Sequence, residues 1–165
     1  MAQQIGVVGL GVMGGRIAGR LLNFGYTVFG TNRTRARAAP LVERGLVWCD
    51  TPRQVAAAAE VVLSSVVDDA ALEAVTTGED GILAGLRPGT VYADMSTVSP
   101  QLSQRLACRA RCLRAEMLDA PVSGSVPQAE AGELTIIVGG SQSAYERVGP
   151  ILRQLGSVVR VGGNG

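Results

Sequence analysis

The feature that most constrains this chain is the run Ile5-Gly6-Val7-Val8-Gly9-Leu10-Gly11-Val12-Met13-Gly14, where a short apolar strand breaks into glycines and passes at once into a helical stretch, Val12 to Phe24. A glycine pattern alone is weak, but one set between a strand and a helix specifies a turn that can cradle a phosphate. Gly9 permits the tight turn, Gly11 lets the backbone approach a pyrophosphate, and Gly14 lets helix and strand pack closely. Free N–H groups at the helix start then face the phosphates, where the helix dipole also favours negative charge. Gly25 is expected to cap the helix in a left-handed conformation, and Thr27 to Thr31 to form the second strand. The opening segment therefore reads as a dinucleotide-binding βαβ unit.

The residues after the second strand predict which dinucleotide. A site selective for NAD places Asp or Glu there to accept hydrogen bonds from the adenosine ribose, and that charge would repel a 2′-phosphate. Here Asn32 takes the position, followed by Arg33 and Thr34. Arg33 can grip a phosphate with a planar fork of charged donors, and Thr34, also the expected N-cap of the next helix, can add a hydroxyl. NADP is favoured over NAD on this reading. The alternative is that Arg33 and Arg35 decorate a solvated helix start.

At 165 residues, 47% hydrophobic and poor in aromatics, the chain suits one domain with a core of Val, Leu, Ala and Ile. A formal charge of +1 gives no broad field for nucleic acid or an anionic membrane, and no apolar run reaches the length of a bilayer span. The chain opens on a strand rather than a signal peptide, and Cys49, Cys108 and Cys112 lack metal-site spacing. Reduced thiols in a cytoplasmic protein, with no bound metal, are expected. All fifteen basic side chains are arginine, and there is no histidine. The usual proton donors for carbonyl reduction are thus missing, because Arg stays charged at any working pH and Asp or Glu would need a strongly raised pKa.

Further strands are expected at Leu46 to Trp48, Val61 to Ser65, Val91 to Asp94, Met117 to Leu118, Leu134 to Val138 and Val158 to Val161. Helices are expected at Arg35 to Arg44, Pro52 to Ala59, Asp69 to Thr76, Pro100 to Cys112 and Ser141 to Gln154, with Pro52 and Pro100 in first turns, where a missing N–H does no harm. The alternation implies an α/β fold of Rossmann type: one domain, residues 1–165, with a doubly wound, mostly parallel sheet and helices on both faces. Ligands bind such sheets beyond the carboxyl ends of the strands. Three polar or glycine-rich loops stand there: Ser64 to Asp69, Asp94 to Pro100 and Asp119 to Ser125. The last offers N–H groups and hydroxyls for a small carboxylate, or is a plain turn; Ser96, Thr97 and Ser99 either contact a cofactor or cap the helix at Pro100.

Four segments carry a family resemblance by their order: Gly9-Leu10-Gly11-Val12-Met13-Gly14, Gly78-Glu79-Asp80-Gly81-Ile82-Leu83, Asp94-Met95-Ser96-Thr97 and Asp119-Ala120-Pro121-Val122-Ser123-Gly124. Continued by Gly132-Glu133-Leu134-Thr135 and Val138-Gly139-Gly140, they resemble the cofactor-binding domain of the β-hydroxyacid dehydrogenases, the family of 3-hydroxyisobutyrate dehydrogenase and tartronate semialdehyde reductase. The resemblance covers nearly the whole chain. It implies that Leu10, Val12 and Met13 hold the pyrophosphate with the glycines, that Val66, Val67 and Ala71 border the adenosine, and that Thr97 lies near the nicotinamide ribose. It implies too that Ser123 and Gly124 bind the carboxylate of a small substrate. Asn32-Arg33-Thr34 resembles the NADP-preferring glyoxylate and succinic semialdehyde reductase branch. This chain has Val66-Val67 where the family usually shows Leu-Pro, and Ser125 where a third glycine is usual.

In that family the chain runs on into a long helix bearing the catalytic Lys and then an all-helical domain, neither of which this sequence contains. The resemblance therefore implies the cofactor-binding domain of an NADP-dependent 3-hydroxyacid dehydrogenase or semialdehyde reductase, passing hydride between nicotinamide and a small hydroxy acid or aldehyde acid. By itself the domain is expected to bind NADP with little or no turnover, as a monomer or weak dimer, whereas full-length relatives form homo-oligomers. An apolar face near Leu152, Leu155 and Val159 is expected to be exposed. Two other readings share the opening motif: the cofactor domain of an imine reductase, and a sensor or scaffold that binds NADP without catalysis.

Overall fold

Val61, Val62 and Leu63 are all buried, and so are Val91, Tyr92 and Ala93. Strands covered on both faces need helices on both, and parallel crossover connections supply them. The computed structural model, which describes residues 3–165, shows that arrangement. The opening unit is β1 (Gln4–Val8), α1 (Val12–Asn23) and β2 (Thr27–Thr31). A 3₁₀ turn (Arg35–Ala38) and α2 (Ala39–Glu43) lead to β3 (Val47–Trp48), α3 (Pro52–Ala58), β4 (Val61–Ser64), α4 (Asp69–Thr76) and α5 (Ile82–Gly85). Then come β5 (Val91–Asp94), α6 (Pro100–Cys112), β6 (Glu116–Asp119), β7 (Val122–Ser123), α7 (Val126–Ala131), β8 (Leu134–Gly139), α8 (Gln142–Leu152) and β9 (Gly156–Gly162).

The strands follow the order β3-β2-β1-β4-β5-β6-β8, parallel from β3 to β6, with β9 parallel to β8. On one face Ile5, Val28, Leu63 and Ala93 pack with Ile17 and Leu21 of α1 and Val148 and Ile151 of α8. On the other, Val62, Tyr92 and Met117 pack with Val55 of α3, Leu72 of α4 and Leu102 and Leu106 of α6. Burying each Leu or Ile fully contributes about 2 kcal/mol relative to leaving it exposed. Because β1 lies between β2 and β4, the chain order reverses there, and a crevice opens beyond the carboxyl ends of those strands.

Beyond β6 the structure departs from the expected loop. Asp119 pairs with Gly139, Val122 with Ile136 and Ser123 with Thr135 in a single antiparallel register, and the Ile137 N–H donates to the Pro121 carbonyl between them. β7 is therefore β6 carried on along β8. Ser125 is the N-cap of α7, and both its N–H and its hydroxyl donate to Gln128 Oε1, so its side chain is tied into the helix start. Arg20 reaches from α1 to the carbonyls of Gln154 and Glu130, lies over the Phe24 ring and fills the space where a side chain at Gly132 would stand.

Two further expectations need correction. The stretch Arg35 to Arg44 is not one helix but the 3₁₀ turn followed by α2, whose first turn contains Pro40. Pro40 has no N–H to give to a continuous α-helical ladder. Leu152, at the end of α8, and Leu155, in the link to β9, are both buried; the exposed apolar side chains of this region are Val159 and Val161 on β9 and Ile137 beside them on β8. No helix among the described residues is long and apolar enough to cross a membrane.

Candidate functional site

The three glycines of the turn have three separate reasons to be glycine. Gly9 takes a φ of +90°, which most side chains avoid, and an added Cβ would also drive into the Ser65 carbonyl. A Cβ on Gly14 would run into the Gly9 carbonyl, whereas one on Gly11 would meet nothing within 4 Å. The outer side of the turn is thus clear. α1 has no side-chain cap, and the Gly15 N–H donates to the Gly11 carbonyl, so the N–H groups of Val12, Met13 and Gly14 have no partner in the helix. An uncapped helix start beside open space suits an anion such as a pyrophosphate.

Asn32 is fully engaged at the end of β2. Its Oδ1 accepts from the Leu10 N–H at 3.1 Å and its Nδ2 donates to the Thr34 carbonyl at 3.0 Å. One orientation of the amide serves both bonds, and an aspartate would set a second oxygen against the Thr34 carbonyl. Asn32 therefore ties the glycine turn to the loop after β2 without adding charge. Thr34 is an N-cap by position, but its side chain makes no capping bond.

A cleft of about 490 Å³ brings Gly9, Gly11, Asn32, Arg33, Thr34, Val66, Val67 and Ala71 together at the switch point. That volume lies in the range of about 300–1,000 Å³ common for ligand sites. Ala74, Val75 and Pro52 complete an apolar wall. Arg37 and Asp50 also border the cleft, and sequence reasoning missed both. Among the described residues neither Arg33 nor Arg37 has a side-chain hydrogen bond or ion pair. Arg35, by contrast, lies over the Trp48 ring at 5.3 Å, and the Trp48 indole donates to Asp50. A spacing of two residues along the 3₁₀ turn separates Arg37, which faces the cleft, from Arg35, which Trp48 captures. Arg37 also borders a second cleft behind α1, where Arg16 pairs with Glu130 and Arg44 holds the Gly19 carbonyl and Asn23.

The far wall of the cleft is stitched to its neighbour. Ser96 Oγ donates to Asp94 Oδ1 at 2.7 Å and accepts the Val66 N–H at 2.9 Å. Ser99 donates through both its backbone N–H and its hydroxyl to Asp69, which lowers the Asp69 pKa. So Ser96 and Ser99 bind the loop after β4 rather than cap α6; Ser99 occupies the cap position without a capping bond. Burial pushes the Asp94 carboxyl up to about 6 against hydrogen bonds from Ser64 and Ser96. Asp94 Oδ2 is buried without a partner among the described residues.

Other expected site residues stand outside the cleft. The Leu10 side chain is buried, Val12 is exposed and Gly14 is covered, all within the glycine turn and first helical turn. Thr97 is exposed between the stitched Ser96 and Ser99. Ser123 and Gly124 are exposed at the end of β7, where a Cβ on Gly124 would meet Leu134 at 2.7 Å.

Comparison with known proteins fits this geometry. Residues 4–163 match the family described as the NAD binding domain of 6-phosphogluconate dehydrogenase. The 2-(hydroxymethyl)glutarate dehydrogenase of Eubacterium barkeri is 38% identical over 163 residues, covering 98% of this chain and 54% of that protein. The structure of Mycobacterium tuberculosis 3-hydroxyisobutyrate dehydrogenase with L-serine superposes with a TM-score of 0.92 at 28% identity, covering 99% of this chain and 56% of that one. An imine reductase of Streptomyces aurantiacus superposes at 0.88 and 29% identity, over 98% and 56% of the two chains. The chain spans about half the length of the curated relatives it matches.

Proposed function

Because the chain belongs to the β-hydroxyacid dehydrogenase family, we propose that it is the NADP-binding domain of an oxidoreductase acting on small hydroxy acids or aldehyde acids. The observation that carries this reading is the cleft itself: a neutral Asn32 with both amide ends bonded, beside two unpaired guanidinium groups, Arg33 and Arg37. Arg33, Arg37 and the Thr34 hydroxyl hold the 2′-phosphate, which NAD lacks. The first turn of α1, from Gly11 to Gly14, receives the pyrophosphate, and Val66, Val67 and Ala71 border the adenosine. Thr97 stands toward the nicotinamide ribose. When bound, the nicotinamide supplies or accepts the hydride.

Ser123 and Gly124 orient the substrate carboxylate, and orientation of this kind lowers a barrier by several kcal/mol. The hydroxyl proton needs a donor or acceptor within hydrogen-bond reach. This chain has no Lys or His, and Asp94, the carboxyl with the raised pKa, is fully enclosed. The proton is therefore handled by the lysine that the family resemblance implies on a long helix following a domain of this kind. The present chain binds NADP and turns over little.

Calorimetric titration with NADPH and NADH tests the reading. NADPH is expected to bind at least tenfold tighter, and Arg33→Ala to remove that preference, a difference of about 1.4 kcal/mol. Equal affinities would end the NADP assignment. The imine reductase reading rests on the superposition at 0.88, below the 0.92 reached with the 3-hydroxyisobutyrate dehydrogenase. Assaying the full-length protein with a semialdehyde and a cyclic imine separates the two, and turnover of either removes the sensor reading.

A further inference from the structure

Between the core of the sheet and the cleft runs a chain of buried hydroxyls with one carboxylate at its centre. Tyr92, Ser64, Asp94 and Ser96 are 0%, 0%, 0% and 5% exposed. Ser64 Oγ donates to Asp94 Oδ1 at 2.6 Å, which leaves the Tyr92 hydroxyl, 2.8 Å away, to donate to Ser64. From the other side Ser96 donates to the same oxygen through its hydroxyl and its backbone N–H, at 2.7 and 3.3 Å. With its proton committed to Asp94, the Ser96 hydroxyl has its lone pairs free, and one accepts the Val66 N–H.

That direction of donation gives Asp94 a task beyond filling the core. We propose that Asp94 is a positioning residue for the cofactor: through Ser96 it latches the Val66 backbone and so fixes the wall of the cleft formed by Val66 and Val67. The latch rests on the reading of the cleft as a dinucleotide site.

Asymmetry at the carboxylate supports it. Among the described residues Oδ1 takes three donors and Oδ2 none, so the group is oriented toward Ser64 and Ser96 rather than shared around it. Val66 begins the loop, directly after Ser65, whose own N–H is held in the ladder by the Val8 carbonyl. Without Ser96, the Val66 N–H would lose the one acceptor it has among the described residues. Asp69 and Ser99 make a second stitch between the same two loops, so Ser96 and Ser99 hold both ends of the segment that presents Thr97.

The groups facing Asp94 are Tyr92 on its own strand, Ser64 from β4, Ser96 from the loop that follows, and the Asp119 carboxylate from β6. Burial raises the Tyr92 phenol well above its usual range, so it stays neutral, and Asp119 is held by the Asn164 amide at 2.8 Å. Burial, opposed by the hydrogen bonds, also puts Asp94 near 6, where loss of its charge weakens acceptance from Ser96.

Amide hydrogen exchange of the ligand-free chain reads the latch directly, with the neighbouring Ser65 amide as internal reference. In Ser96→Ala the Val66 amide is expected to exchange at least tenfold faster while Ser65 is unchanged, and the dissociation constant for NADPH to rise threefold or more. In the wild type the Val66 amide should also lose protection, relative to Ser65, as the pH falls through about 6; Asp94→Asn should abolish that step. Equal acceleration of Ser65 and Val66 would mean general loosening and would overturn the latch. Unchanged Val66 exchange, or faster exchange with unchanged NADPH affinity, would overturn it too. A wild-type chain that binds neither dinucleotide overturns the cofactor reading and the positioning role with it. The ligand-free exchange distinguishes that result from failure of the latch itself.

Discussion

On the parallel side of the sheet, the loops after β1, β2 and β4 converge on one cleft, drawn together by single bonds such as Asn32 to Leu10, with Ser96 from the β5 loop latching Val66. On the other side β6 runs straight on into β7 along β8, and Ser123 and Gly124 end up exposed outside that cleft. Parallel strands all point their loops the same way, so a concave site forms from short local segments. An antiparallel continuation presents its groups along a ladder, and a concavity there needs a further surface. Under the proposed function, the difference predicts that the cofactor cleft is complete within these residues and that Ser123 and Gly124 need a further surface to enclose a ligand.

Backbone clashes give the largest effects and probe both sides at once. Gly14→Ala would push a methyl into the Gly9 carbonyl, and Gly156→Ala one into the Leu134 carbonyl. Each variant should lose about 3 kcal/mol, lowering the thermal midpoint by roughly 6 to 12 °C. Gly11→Ala, whose Cβ meets nothing, should leave the midpoint nearly unchanged while weakening NADPH binding. A matching loss of stability in Gly11→Ala would erase the distinction between glycines that build the turn and the one that clears it.

The carboxylates beside the cleft come next. The Asp94 pKa is raised from 3.8 to about 6, so the folded state holds this proton more firmly than the unfolded chain. Stability from Asp94 is fully present below about pH 4 and falls as pH rises to about 6, by about 3 kcal/mol in all. Asp69 acts in the opposite sense: Ser99 lowers its pKa, so its contribution is present above its unfolded pKa and is lost as pH falls. Thermal midpoints from pH 4 to 7 should lose the Asp94 slope in Asp94→Asn. Persistence of the slope would assign it to another group.

Cofactor discrimination is smaller. Arg37→Ala should weaken NADPH about tenfold, or about 1.4 kcal/mol, and leave NADH within about twofold. Arg160→Ala, which frees the Gly140 carbonyl on the opposite side of the sheet, should alter neither affinity. Smallest of all is Ile137→Thr on the exposed face of β8, at about 0.5 kcal/mol or less, against about 1 kcal/mol for the buried neighbour in Ile136→Val. Equal costs, read by urea denaturation, would show that the exposed face is covered in solution.

Much of the parallel side could be read from the sequence because its signals are local. The Gly9 turn, the Gly25 cap with φ of +80° and the prolines that open α3 and α6 each lie within a few residues of what they determine. β7 and α7 were not legible: Pro121 and Ser123-Gly124-Ser125 signal a turn, and only β8, later in the chain, makes a strand of Val122 and Ser123. Arg37 was not legible either. That Arg37 joins Arg33 at the cleft while Arg35 does not depends on the 3₁₀ geometry and on Trp48 capturing Arg35. Leu152 and Leu155 looked equivalent to Val159 in sequence, but the helix turns the first inward and the short link to β9 buries the second.

Arg20 and Gly132 show how such dependence shapes what the molecule can become. The guanidinium occupies the room that a side chain at position 132 would need, and Gly132 itself stands at φ +77°. Positions 20 and 132 are therefore sterically coupled. A side chain gained at Gly132 evicts Arg20, and with it the clasp on Gln154 and Glu130 goes. Arg20 lies about 12 Å along α1 from the turn at Val12. A clasp this far from the nucleotide turn thus limits position 132 twice over, by its backbone conformation and by the guanidinium that fills its side-chain space.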